Sequence, residues 1–169
     1  MVCWLRLLAV LLAFGMGSPG ANANEPGLSA TEVVRRYSRT VACQIHEAGP
    51  GYRQYATVTL RPEVPDGISG VWLVGWTGDL GCMGGNGTQG LQMALVQQNG
   101  FPLRVVSPVV VDDEPLPGLV MNGLRELQFS DGVLTVRGTT GREAFGTFQE
   151  VIRRYRYHGG WQRRFEPLP

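Results

Sequence analysis

The sequence predicts an α+β fold, mainly β: an N-terminal helix packed on an antiparallel, partly rolled sheet of about seven to nine strands built from hairpins. Three observations carry this. Glycine and proline supply 24 and 11 of the 169 residues, which favours turns over long helices. Asn99-Gly100, Asp131-Gly132 and Gly159-Gly160 are dipeptides that accept the positive φ values of tight hairpin turns. A single stretch, from Ser29 to about Thr40, has helical periodicity.

The helix opens on Ser29-x-x-Glu32, a capping-box pattern. Val33, Val34, Tyr37 and Val41 fall near one face, and Arg35, Arg36 and Arg39 fall mainly on the other, where water solvates them. Val41, Cys43 and Ile45 then alternate with Ala42, Gln44 and His46, as a half-buried strand requires. Gly49-Pro50-Gly51 turns the chain into Tyr55–Leu60, with Ala56, Val58 and Leu60 inward. Val71–Trp76 is apolar enough for a central strand, and Leu91, Met93 and Leu95 mark the next. Leu91–Gln98 should pair with Leu103–Val111, where Pro102 and Pro108 demote the second strand to an edge or bulged one. Leu124–Ser130 with Val133–Arg137, and Gln149–Tyr157 with Trp161–Phe165, complete the hairpins. No domain boundary interrupts 24–169, a length suited to one domain.

Residues 1–23 read as a cleaved secretory signal peptide. Arg6 precedes the apolar run Leu7–Met16, Ser18-Pro19-Gly20 breaks it, and Ala21-Asn22-Ala23 offers a cleavage site. The run is too short to span a bilayer, and no later stretch is long enough, so no stable membrane insertion is expected. The absence of lysine and the Gly/Ala/Val-rich composition suit a GC-rich bacterium, so the expected location is periplasmic or secreted. After cleavage Cys43 and Cys82 are the remaining cysteines. An even pair in an oxidising compartment predicts a disulfide, worth about 4 kcal/mol for a loop of about 40 residues.

Removing Arg6 leaves arginines and acids equal in number. That balance argues against a generally basic nucleic-acid binder or a polybasic membrane-surface protein. The glycine-rich stretch 78–88, and within it Gly84, Gly85, Asn86 and Thr88, is a candidate partner-recognition loop. It is not a phosphate loop, because Gly87-Thr88 lacks the preceding lysine. Cys43-x-x-His46 would put thiol and imidazole on opposite faces of a strand. Two cysteines and two scattered histidines make a poor zinc set. Asp112-Asp113-Glu114 lacks calcium-loop spacing and reads as a solvated loop. No cofactor and no metal is expected.

The C-terminal hairpin is the strongest binding candidate. Arg137 to Arg164 contains seven arginines and two acids. Strand alternation groups Arg153, Tyr155 and Tyr157 on one face and Ile152, Arg154 and Arg156 on the other, while Trp161, Arg163 and Phe165 share a face of the return strand. The expected partner-binding residues are Arg154, Arg156, Arg164, Tyr155, Tyr157 and Trp161, since guanidinium forks take carboxylates and aromatics supply rigid contact area. The expectation is a periplasmic, non-enzymatic binding protein that recognises another protein of the cell envelope, of inhibitor or immunity type. A subunit of an envelope assembly is the alternative, and a small carboxylate-dependent cell-wall hydrolase the third reading.

Overall fold

The computed structural model describes residues 29–45, 47–61, 69–80, 89–99, 103–109, 116–141, 148–159 and 164–169. The chain is mainly β, and the described residues form one helix and antiparallel sheets. Helix α1 spans Ala30–Val41. The strands are β1 (Gln44–Ile45), β2 (Tyr55–Arg61), β3 (Ser69–Asp79), β4 (Gln89–Asn99), β5 (Arg104–Val109), β6 (Gly123–Ser130), β7 (Val133–Thr140), β8 (Gln149–His158) and β9 (Arg164–Leu168).

Ser29 caps α1, its hydroxyl accepting from the Glu32 N–H at 3.2 Å. The Glu32 carboxylate turns the other way, to Arg35 and Arg36 one turn on, and both guanidinium groups hold its pKa down. The buried face of α1 is Ala30, Val34 and Ser38. Val41 is at the helix end and exposed, so the strand expected from Val41 starts only at Gln44.

The strands form two sheets rather than one. The first has the order β1-β3-β4-β5, with β2 also on β3; the second is the meander β6-β7-β8-β9. The reason lies in β3 and β4, which are apolar on both faces. Val74, Trp76, Ala94 and Val96 meet Ala30 and Val34 of α1. Val71, Leu73, Leu91, Met93 and Leu95 face the opposite way and need a second cover. Leu124, Leu127, Leu134, Val136, Tyr155 and Phe165 of the second sheet supply it. Leu116, Leu119 and Met121, between β5 and β6, fill the same core. The sheets draw together where the Arg53 N–H donates to the Leu124 carbonyl at 2.7 Å, joining the segment ahead of β2 to β6.

The turn chemistry agrees with the sequence at two points. Asp131 and Gly132 have φ of 51° and 73° between the paired ends Ser130 and Val133, as a type I′ turn requires. β5 is an edge strand, and its register slips so that Val106 has no partner on β4. At the third hairpin His158 pairs with Arg164, and the return strand is described from Arg164 to Leu168. Trp161 and Arg163, expected to share a face with Phe165, lie outside the described residues.

Candidate binding surface

The alternation of β8 decides what the C-terminal hairpin exposes. Tyr155 and Phe165 point into the core, 1% and 2% exposed. The Tyr155 hydroxyl donates to the Pro117 carbonyl at 3.2 Å. Tyr157 is half-buried beside them, edge-on to Phe129 at 5.9 Å and tilted against Phe165 at 5.0 Å. The aromatic face is therefore the packed one. Tyr155, expected at a contact surface, holds the hairpin to the connection ahead of β6 instead. Hydrophobic burial claims such rings first, because a large side chain gains more inside than at a surface.

Burial pushes the Tyr155 phenol up to about 12 from 10, because ionisation inside the core lacks solvation. The folded state therefore prefers the protonated ring. That preference is intact below pH 10 and is lost as pH rises from 10 toward 12. Urea midpoints should fall steeply over this interval, and Tyr155→Phe should flatten the fall. An equal slope in both proteins would refute it.

The other face of the second sheet meets solvent. Along β8 and the residue before it, this row reads Phe148, Glu150, Ile152, Arg154, Arg156 and His158. Glu150 reaches Arg137 at 3.6 Å, and Arg137 also reaches Glu126 at 3.7 Å. His158 Nε2 lies 2.9 Å from Glu166 Oε2. Such exposed pairs contribute about 0–1 kcal/mol each. Arg156 faces Glu166 across the ladder and Arg154 faces Leu168, yet neither arginine, nor Arg164, forms an ion pair among the described residues. Neighbouring ladder positions at this corner thus carry three arginines, and the carboxylate among them, Glu166, is engaged by His158. Two like charges about 7 Å apart in water repel by about 0.6 kcal/mol, so the corner favours any arriving carboxylate.

Tyr52 closes the far end of this face, over Gly123, where an added Cβ would meet the ring at 2.8 Å. Arg125 is the extra residue where the β6–β7 register slips, and its guanidinium lies 5.0 Å from the Tyr52 ring centre. Hydrogen bonds from Thr139 and Arg125 lower the Tyr52 pKa. No motif marked this cluster, because it joins Arg125, at the β6 bulge, to Tyr52, far away in sequence.

No family model, no curated protein and no solved structure matches this chain.

The geometry above is therefore what bears on function. It brings together Arg154, Arg156 and Arg164, and it separates them from Tyr155 and Tyr157. Trp161 lies outside the described residues, as do Cys82, Gly84, Gly85, Asn86, Thr88, His46, Asp112-Asp113-Glu114 and the leader 1–23. Cys43 sits just before β1, its N–H donating to the Asp79 carbonyl at 2.9 Å. Among the described residues no group of three or more His, Cys, Asp or Glu side chains could hold a metal ion. Among them, too, no helix is long and apolar enough to cross a membrane.

Proposed function

We propose that this chain is an exported, non-enzymatic binding protein that recognises another protein through the solvent face of its C-terminal hairpin. The observation that carries the reading is the trio Arg154, Arg156 and Arg164, on one exposed sheet face and without an ion pair among the described residues. A stable domain gains nothing from clustering like charge there, whereas an acidic partner is both attracted and oriented by it. Export rests on the leader pattern of residues 1–23.

Replacing all three arginines by glutamate should abolish capture of a partner from envelope extract by the full chain. The urea midpoint should hardly move, since exposed substitutions commonly change stability by less than about 0.5 kcal/mol. A partner retained at full yield by the triple variant would sink this surface as the binding site.

A further inference from the structure

We infer that the binding surface extends along the whole of β8 and takes a protein segment with two halves, one apolar and one carboxylate-bearing. This rests on the proposed binding role and adds an apolar half that charge alone does not reveal. Phe148 and Ile152 are 49% and 47% exposed, large apolar side chains left on the solvent face. They belong to the same outward row as Arg154 and Arg156, two and four residues beyond Ile152. From Phe148 to Arg156 the row is about 27 Å long at the usual rise per strand residue. Four strands set about 4.8 Å apart make the face wide enough for one partner segment, at the small end of specific interfaces.

The charges choose the occupant. Glu150, between Phe148 and Ile152, is held with Glu126 by Arg137, so the apolar half is locally near neutral. The arginines gather in the other half. A free phosphate would use the arginines and leave Phe148 and Ile152 in water. A planar anionic bilayer would lie on Glu126 and Glu150 as well as on the arginines, whereas a segment can set its acids at the arginine end alone. A protein segment with leucine-like side chains at one end and acids at the other satisfies both halves. Exposed apolar side chains beside arginines are the usual anchors of such contacts.

The test uses the full chain and a fluorescent synthetic peptide with a leucine half and a glutamate half, read by anisotropy. Control peptides carry Gln for Glu or Ser for Leu, and phosphatidylglycerol vesicles serve as the lipid probe. Arg154→Glu with Arg156→Glu should weaken binding at least about tenfold, and Phe148→Ser with Ile152→Ser at least about fivefold. Both control peptides should bind worse than the parent. Loss in the arginine variant alone would overturn the apolar half while leaving the proposed binding face standing. No peptide binding by the unmodified chain, or binding untouched by either variant, would overturn the inference, while the capture experiment still judges the face separately. Vesicle binding in place of peptide binding would overturn it in favour of a membrane surface.

Discussion

Gly138→Ala is expected to destabilise the fold by about 3 kcal/mol, an overpacking cost at the upper end of the usual range. Gly138 is buried in β7, opposite Leu124 of β6. A Cβ there would lie 2.2 Å from the Gly123 carbonyl oxygen and 2.8 Å from Met121 Sδ. The methionine end can swing away, but the carbonyl belongs to the neighbouring strand. Relief requires β6 to move, and β6 also carries the hydrogen bond between Arg53 and Leu124 that draws the two sheets together. A loss of this size is a large part of ordinary domain stability and should lower the urea midpoint by about 1.5 M. Gly90→Ala is the matched control. Its Cβ would meet nothing closer than Gln92 Nε2 at 3.5 Å, so the midpoint should stay or rise slightly. Equal behaviour of the two variants would show that β6 yields easily.

Trp76→Ala is expected to cost about 3–5 kcal/mol, the range for emptying a large aromatic site in a core. Trp76 is 1% exposed and stands between the first sheet and α1, in the cluster that holds Ala30 and Val34. Its ring also lies over Gly78, where an added Cβ would come within 2.5 Å. Removing it leaves both the helix and a bare glycine backbone without cover. Unfolding followed by far-ultraviolet circular dichroism should show the loss, and Trp76→Phe should recover part of it. A cost below about 1 kcal/mol would mean that α1 is held elsewhere.

Both sites show how far the chain could be read without its fold. Alternation identified β2 and its inward residues Ala56, Val58 and Leu60, the first fully apolar strand, and the Asp131-Gly132 turn, because each depends on near neighbours only. The same reading separated Arg154 and Arg156 from Tyr155 and Tyr157 by their parity. It could not say which parity faces water, since a hairpin alone has no inside. It assigned the aromatics to a contact surface, and the core claimed Tyr155. Alternation likewise set Ile152 beside Arg154 and Arg156 without showing that it is exposed, because its burial depends on whether a layer covers it.

Composition, turn dipeptides and periodicity thus determined by themselves that the chain is mainly β, has a capped helix after Ser29 and clusters arginine near its C-terminal end. Only the tertiary structure decided that the strands divide into two sheets. Both faces of β3 and β4 are apolar, one helix can cover only one of them, and the second sheet had to close over the other. That closure turned one side of β8 inward and left Ile152, the arginines and the preceding Phe148 to the solvent.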